Sequence, residues 1–356
     1  TESATNPRPA GIVSVAQEGT SIAISKCTNT KKITSASAVG NVYAGGVGAH
    51  LTGTELSGCK NQGFVEVTNC AAQVSAGGIA AYLVKGESVP GKISSCENSS
   101  TVECSVPNVS NADGNALEHN IGGILGYTNT AVEGCTTTST AKVLIGGNTD
   151  KPRAGGIVGV AATGTSILSC TNNGAVESSP EGSRETTYLG GIAGYANNTP
   201  IGEAGKGCSN SGAVTLKTAA GWAHLGGIVG NAVSNTSIVD ATNSGTISSS
   251  STTGDEQRLG GLVGYASATT IKGTGEKTCI NNGPVYITAA SVLDVCSIGG
   301  VVGVATGNTK IKNVYNNNKI SFASNKACYL GGMVGVIEKN VTIDGCHNLS
   351  GGIIEC

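Results

Sequence analysis

The feature that most limits what this chain can become is a Gly-Gly pair that returns every 32 to 45 residues along its length. Marked by its first glycine, the pair stands at Gly45, Gly77, Gly122, Gly155, Gly190, Gly226, Gly260, Gly299 and Gly331, and a degenerate copy, Ala10-Gly11, precedes them. A period of this size is the signature of a repeat architecture, in which one small unit is copied and stacked.

Three short segments recur within each copy. The first is built of small residues, as in "AGGIVG" at 154–159 and "LGGLVG" at 259–264. After a turn rich in Thr, Asn and Ser, a second segment leads to a position that is cysteine in eight of ten copies: Cys27, Cys59, Cys96, Cys135, Cys170, Cys208, Cys279 and Cys346. The remaining copies place Ala241 and Val314 there, so the position asks for a small apolar side chain and not for sulfur chemistry. Two residues further on stands an asparagine in nine copies: Asn29, Asn61, Asn98, Asn172, Asn210, Asn243, Asn281, Asn316 and Asn348. The third segment carries Val or Ile, as at Val65, Val176, Val214, Val285 and Ile320.

Short β-rich segments bounded by Gly, Asn and Ser clusters read as strands. A three-strand unit cannot bury its own apolar face, so the copies must stack. The pattern therefore predicts an all-β chain, a single repeat domain over residues 1–356, folded as a parallel β-solenoid of about ten coils with three short strands per coil. At a strand spacing of ~4.8 Å the shaft is roughly 50 Å long, and the crossover preference favours right-handed winding. Equivalent residues then form columns. A narrow interior selects Gly, Ala, Val, Ile and thiol Cys, and a column of Asn at a corner can pass amide hydrogen bonds from coil to coil.

The units "GGIVGVAATGTSILSCTNNGAV", "GGLVGYASATTI…CINNGPV" and "GGVVGVATGNTKIKNVYNNNKI" resemble the GLUG-type repeats of bacterial surface proteins, large adhesins and some secreted peptidases. The resemblance covers nearly the whole chain and implies a repeat architecture on an extracellular or cell-surface protein. The frequent cysteines, and insertions near residues 103–120 and 143–153, depart from the plainer bacterial units.

Composition removes several function classes. Charged residues are 12% of the chain and the net charge is −2, with no basic run to meet a phosphate backbone, so nucleic acid is excluded as a partner. No apolar run is long enough to span a membrane as a helix. The chain opens on Thr1 and its only methionine is Met333, which reads as a removed translation start.

The Gly pair is not a phosphate loop, because it recurs with no helix behind it and no GK[ST] follows. Nor are the column cysteines placed as nucleophiles: the histidines, His50, His119, His224 and His347, are scattered over distant copies. Glycoside hydrolysis needs two converging carboxylates. The adjacent acidic pair Asp255-Glu256 sits in a Ser/Thr-rich insertion expected to be an exposed loop. No cofactor and no metal is expected. The five cysteines outside the column, Cys70, Cys104, Cys296, Cys328 and Cys356, are the better disulfide candidates.

Two columns of rings hold the ligand-binding expectation. His50, Tyr82, Tyr127, Tyr195 and Tyr265 align just beyond the small-residue strand, with Val160, Asn231, Val304 and Val336 in the other copies. Tyr43, Arg153, Tyr188, His224, Arg258 and Tyr329 align just before it, with Trp222 nearby. Flat rings stepping along a shaft could stack on sugars, or could simply close strand ends. The reading that follows is a non-catalytic surface or adhesin-like shaft displaying variable loops to other surface proteins or glycans. One alternative is a structural element that assembles end to end, or continues its array past "GGIIEC". Another is a polysaccharide-binding or polysaccharide-cleaving β-helix.

Overall fold

The computed structural model describes residues 6–17, 22–36, 40–106, 117–147, 149–179, 186–218, 221–251, 255–276, 278–288, 295–323 and 327–356. In them the chain is a parallel β-solenoid whose regular elements are all strands. One full turn shows the plan: Val42–Gly45, Gly48–Thr52, Thr54–Ser57, Lys60–Asn61 and Val65–Thr68 follow each other around the coil. Each pairs in parallel with its equivalent one turn on, so Val42 faces Val74 and Gly45 faces Gly77. Four of the resulting sheets contain ten strands and the first contains nine. The first sheet falls short at Pro7 and Pro9: their carbonyls accept from Tyr43 and Gly45, but prolines have no N–H to return, and only the bridge Ala10–Gly45 forms.

Each coil thus has five strand segments, not the three expected from the sequence. The small-residue segment is two strands in two sheets, because the chain bends at the second glycine of the pair. The two residues after the cysteine position, ending on the asparagine expected at a corner, form a short strand of their own, as at Lys60–Asn61.

The interior is two cores and not one. Val47, Leu51, Leu56 and Cys59 of this turn join a column enclosed by the second, third and fourth sheets. Val42, Ala44, Val65 and Val67 belong to a separate column between the first and fifth sheets. Each fully buried Ile, Leu or Val contributes about 1.5–3 kcal/mol, and the stacked repeat multiplies that gain. What pinches the section is the glycine four residues after the mark. A Cβ on Gly159 would sit 2.5 Å from Ile121 N and 2.6 Å from Gly126 O, so the first and second sheets touch backbone to backbone.

Connections divide sharply by place. Between the first and second strands they are two residues in every copy, as at Gly46-Val47. Between the fifth strand and the next first strand they run over 36–41, 69–73, 107–118, 148–151, 179–186, 217–222, 250–255, 288–294 and 323–327. The two expected insertions shrink accordingly. Residues 102–106 and 142–147 lengthen the fifth sheet, and residues 107–116 lie outside the described set. Glu256, expected in a loop, instead opens the strand Glu256–Gly260, where its carboxylate is held by Arg258.

Candidate functional site

The close contact of the first two sheets sets the two ring columns side by side on the outside of the shaft. Register runs unbroken on the second sheet, through His50, Tyr82, Tyr127, Val160, Tyr195, Asn231, Tyr265 and Val304. On the first sheet it runs through Asn120, Arg153, Tyr188, His224, Arg258, Ser297 and Tyr329. His50, Tyr82 and Tyr127 stack with centroids 4.8 Å apart and planes within 11°. At two of the places where the second sheet lacks a ring, the first supplies a planar group, while beside Val304 it supplies only Ser297. Beside Val160, the Arg153 guanidinium lies 4.6 Å from the Tyr195 ring. Beside Asn231, the His224 ring lies 5.1 Å from both Tyr188 and Tyr265. Arg258 lies 4.8 Å from Tyr265 and 5.0 Å from Trp222.

The columns therefore interleave into one ladder of planar groups whose faces largely cover one another. Both guanidinium charges are met by carboxylates: Arg153 by Glu118, and Arg258 by Glu256 through two bonds of 2.8 and 2.9 Å. Burial, and then the neighbouring Tyr127 and Tyr43, push the Tyr82 phenol up to about 12, so it is a neutral hydrogen-bonding group and not a nucleophile. Ring area remains open at Trp222, 45% exposed, and Tyr329, 56% exposed.

Two histidines within this region are buried. Val74 N–H donates to His119 Nδ1 at 3.2 Å, and burial lowers the His119 imidazole to about 4. Burial and the adjacent Arg258 hold His224 well below its ordinary value. Both are neutral when folded, while in the unfolded chain they take up a proton below about pH 6.5. Stability is thus complete above that pH and falls as pH drops towards 4, by about 3 kcal/mol for His119 alone. Urea midpoints should fall between pH 7.5 and 4.5, and His119→Gln should flatten the slope; an unchanged slope would mean that another group drives acid unfolding.

The asparagines form a ladder inside the corner. Nδ2 of each donates to Oδ1 of the next: Asn29 to Asn61 and Asn61 to Asn98 at 2.8 Å, then Asn172 to Asn210 at 2.7 Å. It continues from Asn210 through Asn243, Asn281 and Asn316 to Asn348, at 2.8–2.9 Å. Each amide also closes its own turn, as Asn172 does by bonding Gly174 O and Gly174 N. Thr137 occupies the one variant rung and donates its hydroxyl to Asn172 Oδ1.

The cysteine column lines the first core. Cys59, Cys96, Cys135, Cys170, Cys208 and Cys279 are buried, Cys27 and Cys346 partly so. Their thiols donate to main-chain carbonyls, as Cys208 does to Ile167 O at 3.4 Å. Burial pushes the Cys279 thiol up to about 12, so that thiol stays protonated near neutrality. All thirteen cysteines are free thiols in the structure, including Cys70, Cys104, Cys296, Cys328 and Cys356, the better disulfide candidates of the sequence. Cys104, Cys296 and Cys328 stand inside strands rather than in loosely held insertions.

A feature that the sequence reading missed is a cavity of about 430 Å³ around Asp240, walled by Gly205, Gly207, Thr274 and Thr278. Two long connections between third and fourth strands, 202–208 and 273–279, flank the coil that carries Asp240. Thr274 N and Thr278 Oγ1 donate to its Oδ1 at 2.7 and 2.6 Å; Thr274 Oγ1 and Gly205 N donate to its Oδ2 at 2.5 and 3.4 Å. Burial favours the neutral acid, yet these four donors outweigh it and the carboxyl is held below its ordinary value. With its lone pairs taken, Asp240 clasps two loops and is poorly placed to act as a base. The matched lengths of the two connections were its only sequence signal.

Among the described residues no group of three or more His, Cys, Asp or Glu side chains is placed to hold a metal ion, and no helix is long and apolar enough to cross a membrane. Compared with protein-family models, curated proteins and solved structures, the chain matches none.

Proposed function

We propose that the chain is a non-catalytic recognition shaft of the extracellular, adhesin-like kind that the resemblance of its units to GLUG-type repeats suggests. The observation that carries this reading is that the connection between the fifth and first strands differs from turn to turn, from four residues at 148–151 to twelve at 107–118. Glu118 and Trp222 sit in those connections, beside the Arg and Tyr groups of the first sheet. A rigid repeat scaffold whose connections vary along an edge is how repeat proteins build binding surfaces. The partners that fit are glycans or proteins of another surface, met by loop main chain, phenol hydroxyls and the exposed Trp222 ring.

The test is retention on a panel of polysaccharides, cell-surface glycans and matrix proteins, with analysis of any shorter products. Replacing residues 69–73 and 217–222 by Gly-Ser segments of equal length should weaken retention about tenfold or more, with the far-ultraviolet spectrum unchanged. Release of shorter sugars would overturn the non-catalytic reading, and retention indifferent to both replacements would remove the variable edge from the binding surface. A sugar-binding reading rests on Trp222 in particular: loss of glycan retention in Trp222→Ala, with protein ligands unaffected, would favour it.

A further inference from the structure

Neighbouring coils place equivalent residues ~4.8 Å apart, within the Cα separation of about 4.4–6.8 Å that a disulfide spans. Cysteines are register neighbours at several levels of the shaft. Cys59, Cys96, Cys135, Cys170 and Cys208 follow one another with exposures of 0–1%, so no oxidant reaches them in the folded chain. Two further pairs differ. Cys27 precedes the paired strand Thr28–Asn29 as Cys59 precedes Lys60–Asn61, and Lys60 N donates to Cys27 O at 2.8 Å. Cys296 and Cys328 face each other directly in the first sheet. In each pair one member, Cys27 or Cys328, is partly exposed while the other is buried. Cys346 is also partly exposed, but its register neighbour is Val314 and offers no sulfur.

We propose that Cys27–Cys59 and Cys296–Cys328 are oxidation sites, each closed by exchange with a small-molecule disulfide such as oxidised glutathione to staple adjacent coils together. The reachable thiolate attacks one glutathione sulfur, forms a mixed disulfide and expels one glutathione thiolate. The buried partner, deprotonated in its turn, attacks the protein-side sulfur and expels the second. Two protein thiols are oxidised to one disulfide, one glutathione disulfide is reduced to two glutathione molecules, and the two thiol protons pass to the leaving thiolates. Burial disfavours the Cys27 thiolate, so closure of Cys27–Cys59 is slow near neutrality and quickens as pH rises.

The experiment equilibrates the intact chain with a mixture of oxidised and reduced glutathione at pH 8, then alkylates remaining thiols in denaturant and maps the peptides by mass. The expected products are linked peptides Cys27–Cys59 and Cys296–Cys328, both lost on adding dithiothreitol, and a urea midpoint higher in the oxidised form. Cys27→Ser and Cys328→Ser, both at partly exposed positions, should each delete one link and leave the other. Quantitative alkylation of Cys27 and Cys328, a Cys328–Cys356 link, or links within the sealed run from Cys59 to Cys208 would overturn the assignment. So would a urea midpoint that falls on oxidation.

Discussion

Gly191→Ala should cost more than about 3 kcal/mol and appear as a large drop in the urea midpoint or as insoluble protein. The added Cβ would lie 2.1 Å from Gly227 O and 2.3 Å from Asn210 Cγ, inside contact distance of backbone on one side and of the asparagine ladder on the other. Neither neighbour can retreat, because Gly227 O belongs to the next coil and Asn210 is held by its bonds to Asn172, Gly212 and Asn243. The same geometry recurs at Gly156 against Asn172 and at Gly261 against Asn281. Gly146→Ala serves as the control: its Cβ would meet only the Ser105 side chain, at 3.2 Å, and should cost under about 1 kcal/mol. Equal midpoints for the two variants would show that the glycine column is not set by this packing.

Asn210→Ala should destabilise by about 4 kcal/mol, since it strips partners from several buried groups at once. Asn172 Nδ2 loses its acceptor, Asn243 Oδ1 and Gly212 O lose their donor, and none of the three is open to water. Chains of amides polarise one another, so the loss should exceed that of an isolated bond. Asn210→Thr should cost less than Asn210→Ala, because Thr137 already occupies one rung and donates a hydroxyl to the next amide. Urea denaturation of the three proteins, followed by circular dichroism, decides the order. Alanine and threonine variants of equal stability would mean that the rungs act independently of their hydrogen bonds.

These two effects describe one contact seen from both sides, and the sequence contains both halves without showing that they meet. The second glycine of the pair and the asparagine appear in copy after copy, separated by the turn and the second segment. Their mutual packing depends on how far the coil folds back on itself, which no residue spacing states. The ring columns behave likewise. Their alignment could be read from the repeat, but Arg153 filling the place beside Val160, and His224 the place beside Asn231, follows from the backbone contact of the first two sheets. That contact converts two rows of rings into one interleaved ladder, and it leaves Trp222 and Tyr329 as the rings with the most open area.

By itself the sequence determined the parallel β-solenoid, because stacking amplifies every local preference: a residue type repeated at one position becomes a column, and a column is legible as a period. The small apolar interior, the asparagine column and the copy boundaries all belong to that class. Tertiary structure alone decided the division of each coil into five strands around two cores, the clasp of two loops on Asp240, and which thiols are sealed and which reachable. Those features arise from contacts between segments that share no period, such as the backbone of one sheet against the glycines of another. Their energies depend on distances of a few tenths of an ångström, which the order of residues along the chain does not encode locally.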